Sequence, residues 1–380
     1  MSRFVQLHIL TSYPPANLNR DDLGRPKTAM LGGTNRLRIS SQCLKRTWRT
    51  SDVFQNTLSG GLGIRTKEMG KFIYTSLVSG KSLSDVLNES EGSPVAGVSL
   101  EEVDSKAKEK AKMLAGVFGK LKTLPSKEAD KKKALEKEPF LDLEIEQLAH
   151  FGPEEIEALE KALEKARKED KPENKDVELL RHKLGAADIA MFGRMLAANP
   201  GFNVEAAVQV SHAVSVQKVS LEEDYFTAVD DLNRRDEDAG AGHIGVHEFA
   251  SGLFYLYLCA DRDLLIANLS NDKDFAARSL RALTEAAITT APSGKQNSFA
   301  SRAYASYVLA EKGSNQPRSL AVSFLEPIRE GDMLGKAINA LQQTKQNMDS
   351  VYGPCAESEC VLDAHRASGS KDELLTFISE

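Results

Sequence analysis

No apolar run in this 380-residue chain approaches the roughly 18 residues that would suggest a membrane span. The start, Met1-Ser2-Arg3-Phe4-Val5-Gln6-Leu7, enters strand-like sequence directly and lacks a signal-peptide pattern. A cytoplasmic protein with no membrane partner is expected. Cysteine is scarce: Cys43, Cys259, Cys355 and Cys360 are the only four. The closest pair, Cys355 and Cys360, lacks C-x-x-C spacing and a second pair, so neither a disulfide framework nor a zinc site is expected. Catalytic frames are missing too. There is no G-x-S-x-G elbow, and His243-x-x-x-His247-Glu248 lacks the Glu position of H-E-x-x-H. Gly240, Gly242 and Gly245 also oppose a helix there. Gly294-Lys295-Gln296-Asn297-Ser298 resembles the end of a phosphate loop without its full frame, although Lys295 can supply a basic contact. No enzyme, cofactor or metal site is expected.

What is present is an uneven charge. The first fifty residues carry nine Lys/Arg and two Asp/Glu, a local +7. The chain totals −6, and −6 less +7 leaves −13 for the rest. At 41% hydrophobic and 27% charged, the chain reads as soluble and globular, long enough for one large core or two smaller ones. Apolar residues thread the basic block, so it belongs to a folded element. A cationic surface on such an element suits a polyanion, nucleic acid first, although charge runs are ordinarily solvated faces.

Hydrophobic period places the elements. Residues 3–11 alternate, with Val5, Leu7 and Ile9 on one face and Gln6 and His8 on the other, which predicts a strand ended by Pro14-Pro15. A polar loop is expected to about residue 35, then a short extended stretch over 36–40. Ser40 or Ser41 can cap a helix over about 41–51. Gln42, Lys45, Arg46 and Arg49 recur on it at i, i+3, i+4 and i+7, one basic stripe, while Leu44 and Trp48 lie opposite as anchors. Residues 82–183 are rich in helix formers and mixed charge, predicting a helical insertion with a narrow apolar seam, loosely ordered over 127–137 and 165–175. A second strand is predicted over 207–217, with Val208, Val210, Val214 and Val216 on the face of His212. The apolar run 249–260 predicts a central strand. Segment 218–248 between them predicts a projection bearing Tyr225-Phe226. A helix over 272–289, strands near 303–311 and 319–326, and a helix over 332–349 complete the series. Without insertions the order is βαββαβ. The expected fold class is α+β, a ferredoxin-like or RNA-recognition-motif sheet with a large helical insertion and a projecting arm.

Candidate contacts follow. Arg20, Lys27, Arg36, Arg38, Lys45, Arg46 and Arg49 can neutralise phosphates, and Ser40 and Gln42 can add neutral hydrogen bonds. Tyr225-Phe226 can wedge between bases or pack the arm back onto the body. Leu184 to Leu196, whose glycines Gly185 and Gly193 flank an apolar run ending in Arg194-Met195, reads best as a buried segment. Asp21-Asp22 can bind a divalent ion for phosphodiester cleavage or serve as turn residues.

Five separated blocks carry a resemblance: Leu18-Asn19-Arg20-Asp21-Asp22, Gly32-Gly33, Arg36 through Arg46, Asp188-Ile189-Ala190 with Gly193-Arg194-Met195, and Phe226-Thr227-Ala228-Val229-Asp230-Asp231-Leu232. Together and in this order they resemble the backbone subunit (CasC) of the type I-E CRISPR Cascade surveillance complex. The resemblance implies a hand-shaped subunit with palm over 1–54, 185–217 and 249–380, helical fingers over 55–184 and thumb over 218–248. It implies copies stacked head to tail along a CRISPR RNA, with palm contacts from Arg20, Lys27, Ser40, Gln42, Lys45, Arg46 and Arg49. Met195 and the thumb pair Tyr225-Phe226 would displace bases at intervals. Other copies of the chain, target DNA, and the large, small, cap and guide-processing Cascade subunits would be partners. Target cleavage would belong to a separate helicase-nuclease. The enzymatic alternative is the related type III backbone kind, in which Asp21 or Asp22 would cut RNA with a metal ion.

Overall fold

The computed structural model describes residues 2–89, 92–168, 179–182, 184–228, 243–329 and 331–380. The chain forms two compact units: residues 1–57, 208–263 and 276–380 make the first, and residues 58–207 with 264–275 make the second. Segment 185–217, expected in the palm, is therefore divided at Val208.

In the first unit, strand β1 (Phe4–Ala16) opens the chain. It does not stop at Pro14-Pro15, because a register irregularity between Tyr13 and Ala16 absorbs the prolines and pairing resumes. The expected loop to residue 35 contains β2 (Thr28–Leu31), which turns through Gly32-Gly33 into β3 (Thr34–Ile39). Gly32 sits at φ +58°, and a Cβ there would lie 1.7 Å from the Leu325 carbonyl oxygen, so backbone approach demands glycine. Helices α1 (Ser41–Arg49) and α2 (Asp52–Thr57) follow.

The second unit holds β4 (Ile64–Thr66), α3 (Met69–Ser79), α4 (Leu83–Glu89), α5 (Ser105–Gly116), α6 (Glu128–Lys137), β5 (Ala149–Phe151), α7 (Pro153–Lys168) and α8 (Ala187–Phe192). β4 and β5 pair as a small antiparallel ribbon. The narrow seam predicted here is a full core, in which Phe72, Ile73, Leu83, Leu114, Leu143, Phe151, Leu159 and Leu163 are buried together. Residues 128–137 are helical, contrary to the loose order expected, although α6 buries no side chain. Helix α8 lies buried, with Asp188 accepting from the Gly63 amide at 2.8 Å and contacting His150 at 2.9 Å. Arg194 forms a buried ion pair with Glu155 at 2.7 Å.

The chain then re-enters the first unit. The single strand predicted over 207–217 is two short ones, β6 (Val208–Val210) and β7 (Ala213–Ser215), both paired to the later strand β9 (His243–Asp261). The break shifts the phase: Val208 and Val216 are buried, but His212 is exposed and Val214 only half-buried. Strand β8 (Glu222–Ala228) pairs with the first part of β9. β9 thus joins what was expected as separate thumb and central-strand segments. Residues 229–242, the outer part of the expected thumb, lie outside the described residues, as do 169–178.

Helices α9 (Arg262–Asn268), α10 (Lys273–Thr289) and α11 (Gln296–Phe299) lead to β10 (Tyr307–Gly313). The strand expected over 319–326 is a 3-10 turn, Ala321–Phe324, with Leu320 and Phe324 buried. Helix α12 (Met333–Tyr352) matches its prediction, its first turn capped by Asp332 at 2.9 Å from the Gly335 amide. β11 (Ser358–Asp363) and α13 (Lys371–Ser379) end the chain.

The large sheet is antiparallel throughout its named pairings and runs β11-β10-β1-β9-β7-β3-β2, with β6 and β8 also on β9. The protein is therefore α+β. β1 lies between β10 and β9, so both its edges are paired, and side chains on both its faces are buried, Val5, Leu7 and Ile9 on one and Gln6 and His8 on the other. The His8 ring spans Tyr255 (Nδ1 to hydroxyl, 2.9 Å) and Glu311 (Nε2 to Oε2, 3.0 Å). Arg318 closes the network with two bonds to Glu311, at 2.6 and 3.1 Å. Buried polar groups survive here because each finds a partner.

Candidate nucleic-acid interface

Helix α1 carries the site. Ser40 is its N-cap, with extended backbone, and its hydroxyl accepts from the Cys43 amide at 3.3 Å. The residue is buried, and this bond makes Ser40 the residue that starts the helix. Leu44 and Trp48 are buried on the inner face, as their spacing requires. Gln42 and Arg46 are exposed, and Lys45 and Arg49 are half-buried. Burial pushes the Lys45 ammonium below its ordinary value. The first turn of α1 has no acidic residue, whereas Arg46 and Arg49 occupy the last.

A loop ties the other cations to this helix. Lys27 N donates to the Asn19 carbonyl at 2.9 Å, and Arg38 N to the Lys27 carbonyl at 2.8 Å. Asn19 Oδ1 accepts from the Ser40 amide at 2.9 Å. Burial, then the fields of Arg38 and Lys27, lower the pKa of His212, whose Nδ1 accepts from the Ser41 amide at 2.9 Å. Burial raises the Cys43 thiol although Lys27 and Arg46 both oppose it. Lys27 is thus electrostatically coupled to both the His212 and Cys43 environments. Loop 18–24, α1 and the turn at Ser293-Gly294 enclose a cleft of about 500 Å³, lined by Arg20, Asp21, Asp22 and Arg46 among others.

One expected contact, Arg36, is corrected. Arg36 is fully buried. Its guanidinium donates to the carbonyls of Ser215 and Val216, at 3.1 and 2.8 Å, and of Phe324 and Leu325, at 2.9 and 3.3 Å. It also donates to the Thr34 hydroxyl at 2.9 Å. Its donors are turned inward to backbone carbonyls, and burial lowers its pKa. It holds the turn at 321–324 against β3 and β7 and does not face solvent. Asp21 is a turn residue: its Oδ1 accepts from the Leu23 and Arg25 amides, each at 2.9 Å.

The aromatic pair divides across the β8–β9 ribbon. Phe226 lies over its cross-strand partner Gly245, where a Cβ would come within 2.4 Å of its ring, and stacks on His247. Tyr225 points to the other face, 63% exposed, opposite Val246 at 58%. Lys295, at φ +48°, reaches His247 with its Nζ 2.7 Å from Nδ1. Met195 belongs to the second unit and is 75% exposed at the end of an otherwise buried segment. Sequence reasoning missed His212 and His247 as structural partners. The one available signal was their nearness in sequence to basic or aromatic candidates.

An α+β unit with an antiparallel sheet, presenting a cationic stripe on a capped helix beside a two-stranded arm, is the class that fold and site define. The chain belongs to the CT1975-like protein family, whose pattern it matches over residues 5–377. Its fold is similar to that of a chain from a CRISPR RNA-guided surveillance complex in a pre-nicking state, with 25% identity, TM-score 0.75 and 99% of each chain covered. A chain of another CRISPR RNA-guided surveillance complex shares the fold at 21% identity and TM-score 0.56, covering 98% of this chain and 99% of that one. Comparison with curated proteins returned no match.

Proposed function

We propose that this chain is a non-enzymatic backbone subunit of a CRISPR Cascade complex, of the type I-E kind, that coats the guide RNA and supports RNA-guided binding of target DNA. The observation that carries the reading is the stripe on α1, with Arg46 exposed, Lys45 and Arg49 half-exposed, and Leu44 and Trp48 locking the helix below. A packed helix presents cations at fixed spacing, which is how phosphate contacts set the register of a strand without reading its sequence. The likeness to chains of CRISPR RNA-guided surveillance complexes supports the same reading. The order β10-β1-β9 with β6 and β7 outside supports the ferredoxin-like palm, since β1, β6/β7, β9 and β10 follow one another as strands one to four with α1 and α10 as the crossover helices. In this reading the β8–β9 ribbon is the thumb, and Tyr225 is its outward aromatic. The copies associate head to tail, a heterologous contact that extends along the RNA. The cytoplasm is the expected compartment.

The nuclease alternative is weaker, because Asp21 spends an oxygen on two backbone amides of its own turn. The decisive experiment is RNA binding as a function of salt. Arg20→Ala combined with Arg46→Ala should lower affinity and flatten the slope of log K against log salt by about 1.4, two single-strand phosphate contacts at about 0.7 each. An unchanged slope in a folded variant would remove the stripe from the site.

A further inference from the structure

A second cleft adjoins the one beside the stripe at the C-terminus of α1, with Thr50 and Ser293 lining both. The second, of about 700 Å³, lies between the α1–α2 junction and the segment from Thr289 to Tyr304. That volume is within the range of small-ligand sites, roughly 300–1,000 Å³. Its walls carry hydroxyls and an amide, with Gln296, Arg302 and Tyr304 on one side. Arg302 is exposed, and Tyr304 is 73% exposed. Among the described residues neither side chain has a hydrogen-bond, ion-pair or ring partner.

The segment that bears them is held in an unusual way. Lys295 and Ala300, at either end of α11, both take left-handed backbone at φ +48° and +49°. Gly294 packs so closely on Leu18 that a Cβ would lie 2.3 Å from the Leu18 carbonyl oxygen. Left-handed non-glycine residues persist where surrounding structure over-determines them, and they cluster at ligand sites. One segment therefore lines the first cleft through Ser293 and Gly294, lines the second through Gln296, Arg302 and Tyr304, and contacts the ribbon through Lys295 and His247.

We infer that the second cleft is a nucleotide subsite for single-stranded RNA, in which Arg302 contacts a phosphate and Tyr304 stacks on a base. The inference rests on the proposed function, for it extends the phosphate track of α1 past Thr50. The chemistry fits a single strand: a guanidinium for phosphate, an exposed ring for any base face, and neutral donors between them. A duplex would keep its bases stacked away from the ring.

The test is anisotropy with fluorescent single-stranded RNA over a salt series, using the full chain. Tyr304→Ala should weaken binding at least about fivefold while Tyr304→Phe binds as the parent does, since the ring face is what stacks. Arg302→Gln should flatten the salt slope by about 0.7. Both side chains are exposed, so thermal unfolding of each variant should match the parent. If both variants bind normally while Arg20→Ala with Arg46→Ala fails, the subsite is wrong and the proposed function stands. If the parent itself has no affinity for RNA, the proposed function falls and the subsite with it. If the variants bind RNA normally but no longer self-associate in gel filtration, the cleft seats a second copy of the chain and the inference is overturned.

Discussion

Phe226 stacks on His247 with ring centroids 4.3 Å apart and planes 14° from parallel. The ring packs on its own ribbon, one of the two roles the sequence allowed, covering Gly245 and stacking on the imidazole that Lys295 also touches. Aromatic pairs of this kind contribute about 0.5–1.5 kcal/mol beyond the area they bury. His247→Ala should therefore raise amide exchange over 222–228 and 243–249 by roughly 2- to 10-fold. Unchanged protection would mean that the backbone pairing alone holds the ribbon. Tyr225→Ala, on the opposite face, should leave exchange as it is and, on the proposed function, alter the fluorescence of a base analogue placed where the ribbon would displace a nucleotide.

Arg36 and Arg46 should behave as opposites. Arg36→Ala strips partners from carbonyls at 215, 216, 324 and 325, and is expected to cost about 3 kcal/mol or more in urea unfolding. Where the variant stays folded, its salt slope for RNA should equal the parent's. Arg46→Ala should change stability by less than about 0.5 kcal/mol and flatten the slope by about 0.7. The reverse pattern would mean the two roles are misassigned.

The His8–Glu311 network predicts acid sensitivity. Burial lowers the His8 pKa from its ordinary 6.5, outweighing the pull of Glu311. Below about pH 6.5 the unfolded chain then binds a proton that the native chain refuses, so stability declines as pH falls. Burial raises the Glu311 carboxyl, but the hydrogen bonds of His8 and Arg318 more than offset this and hold it at about 2. Its contribution is complete above its ordinary value of 4.5 and is lost as pH falls toward 2. The urea midpoint should drop between pH 7.5 and 5, and His8→Gln should reduce that drop. An equal drop in the variant would place the titrating group elsewhere.

Asp21 and Asp22 separate turn from catalysis. Asp21→Ala loses two amide bonds and should cost about 1 kcal/mol, whereas Asp22→Ala should be near neutral. Incubating assembled complex with complementary RNA and Mg²⁺ should give no cuts. Cuts that vanish in either variant would restore the nuclease reading.

The α1 stripe was legible because its pattern is local. Helical period sorts Gln42 and Arg46 from Leu44 and Trp48 whatever surrounds the helix, and Ser40 caps it from the adjacent residue. The strands β1 and β10 and the helices α10 and α12 were legible for the same reason. Segment 319–326 was not, since its apolar residues fit either a strand or a short turn. What decides between them is Arg36, which takes the carbonyls of Phe324 and Leu325. Segment 207–217 has strand composition, but its break at 211–212 puts His212 against the first amide of α1.

The sequence alone determined the α+β character, the helical insertion and the amphipathic helix that carries the cations, because near-neighbour sterics and period set these. Only the tertiary structure decided which cations reach solvent. Arg36 and Arg38 are two residues apart on one strand and look equivalent in sequence. One is buried because carbonyls about 180 and 290 residues further along the chain converge on it, while the other is left half-exposed beside His212. Desolvating a guanidinium is tolerated where donors and acceptors match, and that matching exists only once the distant turn has docked.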